Sequence, residues 1–71
     1  MERQYVESTL ITSMGYDSTS AILEVEFKSN GAIWQYYDVS ENVYLECLSS
    51  GSVGKYFLRN INGQYAENKV G

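Results

Sequence analysis

The residues with chemical potential in this 71-residue chain are few and scattered. Histidine is absent and Cys47 is the single cysteine. General acid–base catalysis near neutral pH therefore lacks its usual group, and a cysteine nucleophile would lack its usual base. Glu24 and Glu26 form a carboxylate pair two residues apart, a spacing that places both on one side of a strand. With no pocket in prospect to raise a pKa, they read as solvated surface. Gly51, Gly54 and Gly63 do not have the spacing of a phosphate-cradling loop. One cysteine and no histidine also supply no metal-ligand set. These absences point away from an enzyme and give no cofactor.

The most individual stretch is Ser52-Val53-Gly54-Lys55-Tyr56-Phe57-Leu58-Arg59-Asn60. Lys55 and Arg59 stand four apart, so a helix would carry both on one face with Tyr56 between them. Ser52, Lys55, Tyr56 and Arg59 are therefore the candidate binding residues, able to meet an anion and stack a flat group. The plainer alternative has Phe57 and Ile61 packing inward while Lys55 and Arg59 are solvated or paired with acids. Nine acidic against five basic residues give a net charge of −4. That is the wrong sign for strong electrostatic binding of nucleic acid.

The elements that must position these residues follow from periodicity. Thr9–Tyr16, Ala21–Lys28 and Ala32–Val39 alternate as strands, separated by Asp17-Ser18-Thr19-Ser20 and Asn30-Gly31. Asn-Gly is the strongest short hairpin signal. A two-residue loop there pairs Phe27 with Trp34 and Val25 with Tyr36, and the first turn sets Met14 against Leu23 and Leu10 against Phe27. One sheet face then holds Leu10, Met14, Tyr16, Leu23, Val25, Phe27, Trp34 and Tyr36. The other holds Ile11, Ser13, Gly15, Ile22, Glu24, Glu26, Lys28, Ile33, Gln35 and Tyr37. A one-residue slip would invert a strand, so agreement across three strands supports the assignment of faces. Tyr37 is the one aromatic on the open face and joins the candidate binding residues.

Beyond Val39 the period becomes helical. Ser40 is a good N-cap, Glu41 suits the first turn, and Val43, Tyr44, Cys47 and Leu48 form a stripe before Gly51. A second, shorter helical turn spans about Val53 to Asn60. The expected fold is α+β: a three-stranded antiparallel meander packed on one face by a C-terminal helix and that short second turn. The segments are a flexible N-terminal arm (1–8), a single domain (9–67) and a tail (68–71). Seven Tyr, two Phe and one Trp supply the bulk that a chain this short needs for a core. A monomer or a homodimer fits equally. The lone thiol, the absence of a secretory leader and the lack of an apolar span point to the cytoplasm and away from the membrane.

The ordered pieces Ser13-Met14-Gly15-Tyr16-Asp17, Leu23-Glu24-Val25-Glu26-Phe27, Trp34-Gln35-Tyr36-Tyr37-Asp38-Val39, Val43-Tyr44 and Ser52–Phe57 followed by Ile61 and Tyr65 resemble the KTSC family. That family is named for a segment of some lysyl-tRNA synthetases and also occurs as short bacterial and phage proteins. The resemblance spans roughly Ser8 to Tyr65. It implies a central Tyr-x-Tyr motif, here Trp34-Gln35-Tyr36, and a suggested role in binding RNA. Asn62 replaces a common arginine, which weakens that role for this chain. The face assignment puts Trp34 and Tyr36 under the helix as structural aromatics, with Phe57 packing inward from the second helical turn, whereas an RNA-stacking sheet displays its aromatics. The reading is a non-enzymatic module that docks on a protein partner, as an accessory protein or a phage-type inhibitor. The alternative is weak RNA or tRNA binding through Lys55, Tyr56 and Arg59.

Overall fold

Two turns and one bulge decide how the strands meet. In the computed structural model, which describes residues 1–71, the elements are β1 (Gln4–Tyr5), β2 (Ile11–Asp17), β3 (Ile22–Phe27), β4 (Ile33–Tyr36), α1 (Glu41–Ser49), α2 (Val53–Asn60) and β5 (Glu67–Lys69). They form one five-stranded sheet in the order β1-β2-β3-β4-β5, every neighbouring pair antiparallel. The α+β class and the helical layer agree with the sequence. The strand count does not: the sheet has five strands, not three, because residues of the N-terminal arm add β1 at one edge and Glu67–Lys69, across the boundary between domain and tail, add β5 at the other.

The Asn30-Gly31 turn is wider than a two-residue loop. Gly31 N–H donates to the Phe27 carbonyl (2.9 Å), Phe27 N–H donates to the Ala32 carbonyl (2.9 Å), and Asn30 Oδ1 accepts from Ala32 N–H (3.0 Å). Gly31 alone takes positive φ here, at 70°. The pairing therefore slides by two residues, to Val25↔Trp34 and Leu23↔Tyr36. At the β2–β3 turn Asp17 accepts from Thr19 N–H (3.0 Å) and the Ser20 hydroxyl (2.8 Å), and the pairing is Tyr16↔Leu23 and Met14↔Val25. This too is a two-residue slide, and an even slide leaves every side chain on its expected face.

Ile11 is the exception. A bulge between Ile11 and Ser13 sets Ile11 opposite Phe27 and Ser13 opposite Glu26. The extra residue, Thr12, reverses the alternation, and Ile11 enters the core instead of facing solvent.

The core combines Ile11, Met14, Leu23, Val25 and Tyr36 of the sheet with Val39, Cys47, Val53, Phe57 and Ile61. Phe57 meets Phe27 and Tyr36 edge-on, each with centroids 5.5 Å apart. Tyr16 stacks on Tyr44 at 5.4 Å and its hydroxyl donates to the Val39 carbonyl. Ser40 caps α1, accepting from Val43 N–H (3.4 Å). The helix ends at Ser49, two residues before Gly51: Ser50 is the C-cap, its N–H and hydroxyl both turned back to the Cys47 carbonyl. Ser52 then caps α2.

Candidate functional site

α2 builds the surface that holds most of the candidate residues. Val53 and Phe57 are buried beneath it and Ile61 follows them into the core, so the remaining side chains turn outward. Ser50, Gly51, Ser52, Lys55, Tyr56, Arg59 and Asn60 line a shallow recess of about 270 Å³. Lys55 and Arg59 are exposed, and neither forms an ion pair. The Ser52 hydroxyl accepts from Lys55 N–H (3.3 Å). Tyr56 is half-buried and donates its hydroxyl to Glu46 Oε1 (2.8 Å), tying α2 to α1. Burial first, and then this bond to a carboxylate, push the Tyr56 hydroxyl up to about 12. Tyr56 thus braces the recess, and Lys55 and Arg59 carry its free charge.

A second recess, of about 570 Å³, shares Gly51 and Ser52 with the first and is also lined by Val6, Glu7, Ser8, Thr9 and Lys28. Lys28 Nζ donates to the Ser8 carbonyl (2.7 Å). Three of the five basic residues, Lys28, Lys55 and Arg59, therefore line adjoining recesses that meet at Gly51–Ser52.

Tyr37 lies elsewhere. It follows β4, and its hydroxyl donates to Gln35 Oε1 (3.1 Å) on the sheet face turned away from the helices. Of the candidate binding residues, Ser52, Lys55, Tyr56 and Arg59 come together and Tyr37 does not join them. Tyr36 and Phe57 are buried in the core, while Trp34 is half-buried at its margin.

The far sheet face is not open solvent, as the residue pattern suggested. Glu24 is only 6% exposed and Ser13 2%. Arg3 lies over them: its Nε donates to Ser13 Oγ (2.9 Å), and its Nη1 pairs with Glu24 Oε2. Ser13 in turn donates to Glu26 Oε1 (2.8 Å), and Gln35 Nε2 donates to Glu24 Oε1 (2.9 Å). Burial raises the Glu24 pKa, but the bonds from Gln35 and Arg3 outweigh it and hold the carboxyl below its ordinary value. Glu24 is thus a paired, buried carboxylate and not a solvated one. The pairing of Arg3 with Ser13 and Glu24 leaves no periodic pattern in the sequence. The available signal was Gly15, a glycine inside a strand, which marks a close approach of other backbone. A Cβ there would fall well within 3.0 Å of the Glu2 carbonyl oxygen.

Cys47 is buried against Met14 Sδ (4.0 Å) and the Val53 carbonyl (3.8 Å), and burial pushes its thiol up to about 11. No group of three or more His, Cys, Asp or Glu is placed to hold a metal ion. No helix is long and apolar enough to cross a membrane.

A family model for the KTSC domain matches residues 7–65. An uncharacterised protein of Stutzerimonas stutzeri is 40% identical over 57 residues, covering 80% of this chain and 79% of that one. A protein of Tsukamurella paurometabola is 38% identical over 53 residues, covering 75% and 78%. The crystal structure of a KTSC domain protein from Yersinia pestis superposes with a TM-score of 0.94 at 36% identity, covering 99% of this chain and 97% of that chain.

Proposed function

Given that the chain belongs to the KTSC domain family, we propose that it is a non-enzymatic interaction module that docks on a protein partner through the outward face of α2. One observation carries this reading: Lys55 and Arg59 are exposed and unpaired beside a recess, on a domain whose net charge is −4. A local positive patch on a negative body selects a partner segment with acidic side chains and repels extended polyanions. Arg59 can grip a carboxylate with two parallel bonds, while Lys55 contributes a mobile point charge. The partner takes the domain as an accessory or inhibitory subunit.

RNA is the competing occupant, and the linked recesses with Lys28, Lys55 and Arg59 are what favour it. Three phosphate contacts on a single strand would give a salt slope of only about −2. Such a term is small against the repulsion from nine carboxylates elsewhere on the domain.

The test is capture from an extract of the source cells with tagged chain and with a Lys55→Glu, Arg59→Glu double variant of unchanged melting temperature. The wild type should retain a defined acidic protein that the variant loses. Equal retention by both, or retention only of nucleic acid that nuclease removes, would reject docking through α2.

A further inference from the structure

The contact between Arg3 and the far sheet face is built as a receptor holds a ligand. Gly15 supplies a stretch of β2 with no side chain, across which another strand can run. Ser13 Oγ and the Glu24 carboxylate take two nitrogens of one guanidinium, Nε and Nη1. Both acceptors are held in place from behind. Gln35 donates to the other Glu24 oxygen (2.9 Å), and Glu26 accepts the Ser13 proton (2.8 Å). The charged groups facing the guanidinium are thus Glu24 directly and Glu26 through Ser13. A guanidinium suits this site because its planar fork meets two fixed acceptors at once, which an ammonium cannot.

The strand that brings Arg3 is held weakly. β1 has two residues, both exposed, and pairs with β2 at Gln4↔Met14 and Tyr5↔Ser13, with one more backbone bond from Val6 N–H to the Thr12 carbonyl (3.1 Å). Tyr5 is 86% exposed. β2 itself runs for seven residues, and at its far end Tyr16 and Asp17 have no strand partner on that edge. An unpaired edge is a template for another chain.

We infer that Ser13, Gly15 and Glu24 form a binding site for an arginine on an extended peptide strand. The chain's own N-terminus fills it in cis, and an arginine-bearing segment of a protein partner can take it in trans by adding to the β2 edge. The incoming strand places its arginine opposite Gly15 and continues its backbone ladder along Tyr16 and Asp17, beyond what β1 covers. This is strand addition with one charged anchor, and the anchor sets the register. The cis strand competes at the high effective concentration of a short tether, so it lowers apparent affinity for the partner without abolishing it. The site lies on the face away from the helices and does not depend on the α2 patch.

The test titrates a synthetic peptide of the first seven residues, and the same peptide with alanine for arginine, into the isotope-labelled full-length Arg3→Ala variant. Amide shifts of Ser13, Gly15 and Glu24 are the readout. The arginine peptide should move them saturably, and the alanine peptide should need at least about tenfold more. In the wild-type chain the arginine peptide should also bind, again at about tenfold higher concentration because the cis strand competes. This second titration carries the test alone if a melt shows that Arg3→Ala does not fold. Absence of shifts at these amides, or equal potency of the two peptides, would overturn the site. A wild-type dimer formed by exchange of β1, seen by sedimentation, would overturn the hetero-partner assignment by making a second copy the occupant.

Discussion

At Glu24 the balance between burial and hydrogen bonding has a measurable consequence. Its carboxyl is held below the ordinary value because the charged form is favoured in the folded chain. The stability it contributes is therefore complete above the unfolded carboxylate pKa of about 4.3 and is lost as the pH falls through the lower folded value. Urea unfolding followed from pH 6 to pH 3 should show an acid limb that Glu24→Gln flattens. Cys47 gives the opposite case: its thiol, pushed up to about 11 and fully buried, should react with an aromatic disulfide reagent only as fast as the domain opens. Modification should speed up sharply once urea unfolds the chain, and rapid labelling of the folded protein would refute the burial described. Among single residues, the burial of Tyr36, Phe57 and Cys47 could be read from period and composition. The burial of Glu24 could not, since its cause, Arg3, is 21 positions away.

At the scale of elements, the faces of β2, β3 and β4 were legible although their pairings were not. Both turns hold two residues more than the shortest hairpin allows, and an even slide preserves the faces. The doublets Leu10-Ile11 and Thr12-Ser13 break the alternation, but they do not say which residue is the extra one, so the bulge at Thr12 was not recognised. β1 and β5 are short, mostly polar and exposed at every residue, so they carry no periodic signal. Their pairing with strands already formed is what defines them. Gly15→Val should displace Glu2 and Arg3 from the sheet and cost about 1–3 kcal/mol, the range for losing a partly exposed charged hydrogen bond. Combined with Arg3→Ala, its cost should fall short of the sum, since both release the same segment. Phe57→Ala, which empties a fully buried ring site, should cost roughly 3–5 kcal/mol, and Trp34→Ala less because Trp34 is half-buried. For a domain of this length the former is a large share of total stability. Chemical unfolding of each variant checks the order, and a larger loss at Trp34 would contradict it.

For the whole molecule, the charge distribution decides more than the total. A net charge of −4 argued against nucleic acid from the outset, and the fold adds that Lys28, Lys55 and Arg59 gather around Gly51–Ser52. The helical spacing of Lys55 and Arg59 was visible in the sequence; the arrival of Lys28 from the β3–β4 turn was not, being a product of chain topology. The docking proposed for this exposed patch should weaken as salt rises, because solvent-accessible charges are screened. The most direct measurement of that docking is photo-crosslinking in the source cells from a photoreactive residue at Asn60, on the rim of the recess, compared with one at Thr19 in the β2–β3 turn. Docking through α2 should give a discrete protein adduct from position 60, abolished by Lys55→Glu with Arg59→Glu, and no such adduct from position 19. Adducts confined to RNA, or the same protein adduct from both positions, would contradict it.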